Sequence, residues 1–139
     1  MPSLFDPIEI RGVRIRNRIV MPPMTTRQAA ADGSVTKELI AYYMVRAEGG
    51  TGLITVEMAA PDPAGRHRAG ELGLTEERFV SGLRSLTTQL HQAGAAVAIQ
   101  IGHAGGHARQ DVTGYPPVAP SAIPHVVRSK TRARLSRRP

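Results

Sequence analysis

The sequence predicts a parallel α/β fold. Three short apolar runs, at residues 18 to 22, 52 to 57 and 96 to 101, read as buried strands. Between them lie two stretches whose apolar residues recur at helical spacing, each long enough to carry the chain back for parallel pairing. Ahead of all three, residues 8 to 15 alternate apolar and charged side chains around Gly12, the pattern of a small two-stranded ribbon.

Each element has a local reason. Ile19, Val20 and Met21 form an apolar run that Pro22 and Pro23 terminate, because proline cannot donate to a sheet ladder. Thr36 is placed to cap a helix running to about Glu48, with Leu39, Ile40, Tyr43, Met44 and Ala47 on one face, and Gly49, Gly50 and Gly52 end it. Leu53, Ile54, Thr55, Val56 and Glu57 have the β-branched content of a strand buried on both faces. A polar loop from Pro61 to Gly73 leads to a second helix, expected to start at Thr75, Glu76 and Glu77 with its acids at the favourable end of the dipole. Phe79, Val80, Leu83, Leu86, Leu90 and His91 mark its apolar face, and it stops near Gly94. Ala95 to Gln100 then reads as the third strand. Three parallel strands alone leave edges and faces uncovered, so the pattern is that of part of a larger α/β protein.

Composition narrows the function classes. The 139 residues have an ordinary apolar share and no long apolar stretch, so a fibrous or membrane-spanning protein is not expected. The absence of cysteine removes disulfides, iron–sulfur clusters and thiolate zinc sites, and makes an intracellular protein the default. Asp6 and Glu9 fall where a signal peptide needs an apolar run, so the expected location is the cytoplasm. The net charge of +7 raises the question of a nucleic-acid partner, but Arg128, Lys130, Arg132, Arg134, Arg137 and Arg138 supply six of the positive charges. Without aromatic residues for base stacking, residues 125–139 read as a basic, disordered tail, without packed contacts from about Arg128. No nucleic-acid or membrane partner is expected.

Gln100 to Arg109, written QIGHAGGHAR, invites three chemistries. His103 and His107 are spaced as metal ligands on a helix, but Gly105 and Gly106 disfavour that helix and no third ligand lies at a suitable spacing, so no metal is expected. A dinucleotide loop needs Gly-x-Gly-x-x-Gly between a strand and a helix, and Gly102, Gly105 and Gly106 have the wrong spacing. What remains is a strand end, where α/β proteins place their ligands. The three strand ends, Met21 to Thr25, Val56 to Ala59 and Gln100 to His103, would form one rim with a carboxylate at Glu57, a carboxamide at Gln100 and an imidazole at His103. An amide donates and accepts at once, which suits a uracil-like ring edge. The alternative is that Gln100 and Glu57 merely cap loops.

LFDPIEIRGVRIRNRIVMPPMTT, LIAYYMVRAEGG, TGLITVEMAAPDPAGR, QIGHAG and PPVAPSAIP, in this order and spacing, resemble the old yellow enzyme family. Within it they are most similar to the 2,4-dienoyl-CoA reductase-like NADH:flavin oxidoreductases, and the likeness spans residues 3 to 124. The resemblance implies an N-terminal ribbon closing the floor of a TIM (β/α)8 barrel, followed by its first three β/α units, with residues 1–124 forming part of an FMN-binding barrel. It implies noncovalent FMN, NAD(P)H as electron donor, and reduction of an electron-poor alkene or an enoyl or dienoyl thioester. By similarity, the backbone around Pro22, Pro23, Met24 and Thr25 lies along the isoalloxazine, Met58 falls at a flavin contact, and Gln100 binds the pyrimidine edge. Arg27 falls near a position lining the substrate pocket in some relatives.

Two local departures stand out: the family run His-Ala-Gly-Arg reads His-Ala-Gly-Gly at positions 103 to 106, and Met58 replaces a usually small residue. The family's catalytic residues and phosphate-binding loops fall beyond the matched stretch, so no catalytic residue is assigned. A complete barrel takes ~250 residues. After Pro124 the composition changes to HVVRSKTRARLSRRP, which reads as a truncated or frame-shifted frame or as a basic extension. The functional expectation is therefore the N-terminal fragment of an FMN-dependent NAD(P)H oxidoreductase, inactive alone. The alternatives are a nonenzymatic remnant or interaction module acting through its basic tail, and a chain that assembles with another supplying the missing strands.

Overall fold

The computed structural model describes residues 1 to 121 and the backbone of Ala133–Arg134. The chain opens with an antiparallel hairpin of β1 (Ile8–Ile10) and β2 (Val13–Ile15), as the sequence predicts. Arg11 and Gly12 between them both have positive φ, the backbone that matches a tight turn to strand twist. Next come β3 (Val20–Met21), α1 (Lys37–Glu48), β4 (Leu53–Ala60), β5 (Leu72–Gly73), α2 (Arg78–Gln92) and β6 (Ala96–Ile101).

These four strands form one parallel sheet. Leu53 pairs with both Val20 and Ala96, and Ala59 with both Leu72 and Ile101, so β3 and β5 share one edge of β4 and β6 takes the other. The three expected strands are thus adjacent and parallel, with β4 at the centre. β5 lies inside the stretch read as a plain loop; it has only two residues, too few for a periodic signal. A short α3 (Gln110–Thr113) follows, and β7 (Val118–Ala119) pairs in parallel with β8 (Ala133–Arg134). The stretch beyond Arg128 therefore contains one short backbone pairing where none was expected, and the rest of it lies outside the described residues.

Both helices cover the same face of the sheet. Leu39, Tyr43 and Ala47 of α1 and Leu86 and Leu90 of α2 bury against Ile54, Val56 and Ala59 of β4 and Leu72 of β5. Thr36 caps α1 as predicted, its Oγ1 accepting the Leu39 N–H at 3.1 Å. α2 starts at Arg78 rather than Thr75: Glu77 holds the cap position without a side-chain bond, while Glu76 pairs with Arg78 at 3.0 Å. Val80 and His91, placed on its apolar face by spacing, are exposed. Among the described residues no helix covers the other face of the sheet, so there β4 is only partly covered, against the two-sided burial its composition suggested. Leu53, Thr55 and Met58 are half-buried, and Val20 is 54% exposed.

The hairpin sits at the start of the sheet. Ile10, Val13 and Ile15 line one groove with Leu53 and Ala96, the first residues of β4 and β6. Arg16, just beyond, fastens this end. Its guanidinium donates to the Ala93 carbonyl at 2.9 Å, the Thr51 carbonyl at 2.9 Å and the Ala47 carbonyl, placing a cation on carbonyls at the ends of both helices. Arg16→Ala is expected to destabilise the chain by about 2–3 kcal/mol, the scale of charged hydrogen bonds lost to half-buried carbonyls. Urea unfolding followed by circular dichroism checks this, and an unchanged midpoint contradicts it.

Candidate functional site

At the opposite end, the segments following β3, β4 and β6 meet. The register between β4 and β6 runs from Val56 with Ile99 to Met58 with Gln100, leaving Glu57 as the extra residue of a bulge. Val56 and Glu57 are both buried, and Met58 falls on the open face as the register partner of Gln100. Val97 and Ile99 pack on the helix-side core, so by strand alternation Gln100 also faces the open side, and it is exposed. The rim thus brings Met58 and Gln100 together. Without the bulge, Met58 would turn toward the helices.

Glu57 is not a rim carboxylate. It is fully buried, and its Oε2 accepts the Thr26 backbone N–H at 2.8 Å, so the loop-capping alternative describes it correctly. Its own N–H donates to the Tyr43 hydroxyl at 2.7 Å, linking β4 to α1. Burial raises the Glu57 pKa, the Thr26 bond opposes the rise, and the negative charge of Glu71 adds to it. Burial also raises the Tyr43 pKa.

The loop after β3 is fixed at several points. Pro22, Met24, Thr25 and Arg27 are exposed and Pro23 is half-buried. Gln28 N–H donates to Thr26 Oγ1 at 3.1 Å, and Thr36 Oγ1 donates to the Gln28 carbonyl at 2.5 Å. Arg27 has φ of 63°, a left-handed backbone that costs about 1 kcal/mol or more outside glycine. Its carbonyl lies against Gly70, where an added Cβ would sit 2.5 Å away. Ala29 N–H donates to the Gly70 carbonyl at 3.1 Å. Glu71, also buried, accepts the His67 and Arg68 N–H groups at 2.7 and 3.0 Å, so a second carboxylate shapes the neighbouring loop.

The β6 end is locked to the same loop. Ala104 N–H donates to the Gly65 carbonyl at 2.8 Å, and the His103 ring stacks where a Gly65 side chain would be. His103 Nδ1 accepts the Gly105 N–H at 2.8 Å, and its Nε2 lies 3.9 Å from Asp62 Oδ1. His107 ends a 3-10 turn at Gly105–His107, and among the described residues no three His, Cys, Asp or Glu side chains are grouped to hold a metal ion. Gly102 gives room to Met58, whose Cγ and Sδ would lie 2.8 Å from an added Cβ. Sequence reasoning missed Thr26, Gly70, Glu71 and Gly102, because each acts through a contact between loops rather than through a spaced motif.

The Met24 and Thr25 N–H groups and the Gln100 carboxamide have no hydrogen-bond partner among the described residues. The rim therefore offers backbone donors on a proline-stiffened loop opposite an amide, above an open sheet face. No helix among the described residues is long and apolar enough to cross a membrane.

A hairpin followed by parallel β/α units matches the opening part of a TIM barrel. The chain belongs to the NADH:flavin oxidoreductase / NADH oxidase family, whose sequence model matches residues 3–136. The match continues past Pro124 into the basic stretch, so the change of composition there is not where the likeness ends. An NADH oxidase from Thermoanaerobacter brockii is 45% identical over 125 residues, covering 88% of this chain and 19% of the relative. An NADPH dehydrogenase from Bacillus licheniformis is 38% identical over 136 residues, covering 97% of this chain and 39% of the relative. The solved old yellow enzyme homologue from Zymomonas mobilis superposes with a TM-score of 0.86 at 29% identity, over 97% of this chain and 40% of that one. The chain thus corresponds to the N-terminal portion of such enzymes and spans well under half the length of these relatives.

Because the Glu57 pKa is raised, the folded chain holds a proton that the unfolded chain releases as pH climbs past the ordinary carboxylate range. Stability of the wild type is therefore expected to fall, relative to Glu57→Gln, as pH rises from that range through the raised pKa. Urea midpoints of the two proteins from pH 4 to 8 check the sign; parallel profiles contradict it.

Proposed function

We propose that the chain carries the ring-binding side of the FMN site of an NAD(P)H-dependent oxidoreductase acting on electron-poor alkenes or on enoyl or dienoyl thioesters. The observation that carries this reading is the pairing of Gln100 with Met58 on the open face, beside a loop whose Met24 and Thr25 N–H groups lack partners among the described residues. Membership of a flavin oxidoreductase family supports it, and relatives named as an NADH oxidase and an NADPH dehydrogenase support a nicotinamide donor.

The residues fit a flavin ring by their donor set. Gln100 would donate and accept at the pyrimidine edge, and Met24 and Thr25 would donate along the ring. Pro22 and Pro23 hold that backbone in place, which limits the entropy lost on binding. Met58 would pack against the ring, and Arg27, exposed at the far end of the loop, would face the substrate. When bound, FMN supplies the hydride relay between NAD(P)H and the β-carbon of the alkene. The protein's part here is to bind and orient.

These residues serve the ring alone. A dianionic phosphate needs backbone donors or a cation in a cradle, and hydride transfer needs both partners held at near-contact distance. The 139-residue chain by itself is therefore expected to bind FMN weakly and to turn over no alkene. In a titration followed by flavin fluorescence, binding should saturate, and Gln100→Ala should weaken it about tenfold, the equivalent of roughly 1.4 kcal/mol for a lost hydrogen-bonding group. NADPH oxidation with cyclohexenone should match the protein-free control. Steady turnover with tight stoichiometric FMN overturns the inactive-fragment part of this reading, and no saturable binding overturns the ring site.

A further inference from the structure

The geometry points to Glu57 as the positioning residue of the rim: through Thr26, it sets the height of the Pro22–Thr25 loop against whatever ring lies on the open face. The inference rests on the proposed ring site for its functional meaning, but its structural content stands on three separate observations. The bulge that turns Met58 toward Gln100 is the same one that buries Glu57, so a single irregularity of β4 supplies both the contact and the support behind it. Glu57 Oε2 accepts the Thr26 N–H at 2.8 Å, the one side-chain hydrogen bond among the described residues that ties the loop to the central strand. Glu57 Oε1 is buried and has no partner among the described residues.

An apolar residue of similar size would avoid the cost of desolvating that unpartnered oxygen. What an apolar residue cannot do is accept the Thr26 N–H. The two prolines cannot donate at all, and the left-handed backbone at Arg27 is held from the other side by Gly70. Thr26 thus lies between the proline-stiffened segment and a strained residue, and its amide is the point at which β4 fixes both. Glu57 touches no reacting atom; it acts through Thr26 and the loop.

Amide hydrogen exchange on the full chain tests this directly. In the wild type, the Thr26 amide should exchange at least about tenfold more slowly than those of Thr25 and Arg27, the factor one buried hydrogen bond supplies. Equal exchange overturns the proposal without any variant being made. In Glu57→Leu, which removes the acceptor but keeps the volume, exchange at Thr26 relative to Leu90 in the core should rise about tenfold. In Glu57→Gln, which keeps an acceptor oxygen, it should stay within about twofold. An unchanged ratio in Glu57→Leu, or an equal rise in both variants, overturns it. FMN titration of the same proteins should show a loss of about tenfold for Glu57→Leu only, and equal affinities overturn the positioning role. If the wild type binds no FMN, the ring-site reading fails while the exchange result still decides whether Glu57 holds the loop.

Discussion

One extra residue in one strand organises the rim of this molecule. At Glu57 the ladder between β4 and β6 slips by a position, so that the side chain that strict alternation would send to the open face is buried instead. Beyond the slip, Met58 faces Gln100, Glu57 reaches the loop after β3, and the Glu57 N–H meets the Tyr43 hydroxyl of α1. Helix, strand and rim loop therefore share one buried junction. Burial of that junction raises the Glu57 pKa, which marks a position where geometry is held against the preference of a carboxyl group for water.

The two ends of the sheet are fastened by opposite chemistry. At the floor a cation, Arg16, gathers carbonyls from the ends of both helices and from the turn before β4. At the rim, buried carboxyl groups, Glu57 and Glu71, gather backbone N–H groups from the loops. Each of these side chains sits where part-buried backbone groups of the opposite polarity converge, so the loops are shaped by side chains rooted in or beside the sheet. That leaves Met24, Thr25 and Gln100 to present polar groups outward.

Much of this was legible in the sequence. The three apolar runs located the strands because helices of the right length separate them, and the Thr36 cap and the glycines after Glu48 fixed α1 closely. Pro22 and Pro23 marked the stop of β3, and Gln100 was recognisable as a polar end to an apolar run. Burial was harder to read. β-branched composition suggested a strand covered on both faces, yet composition reports what a strand tolerates rather than which neighbours cover it. The bulge was invisible because Glu57 fits a simple alternation equally well as a rim carboxylate, and only the partner strand reveals the slip. Likewise, Gly70 and Gly102 carry no motif: Gly70 is required by the backbone of Arg27, and Gly102 leaves room for the side chain of Met58.

The proposal on which the rest turns is that the rim around the bulge receives a flavin ring. An amide-resolved NMR titration of the isotopically labelled chain with FMN addresses it most directly, because it maps contact without requiring turnover. The largest shifts are expected on Met24, Thr25, Thr26, Met58 and Gln100, with little change along the exposed side of α2. Shifts concentrated on that side of α2, around Val80, Arg84 and Thr88, or in the groove between the hairpin and β6, would contradict it.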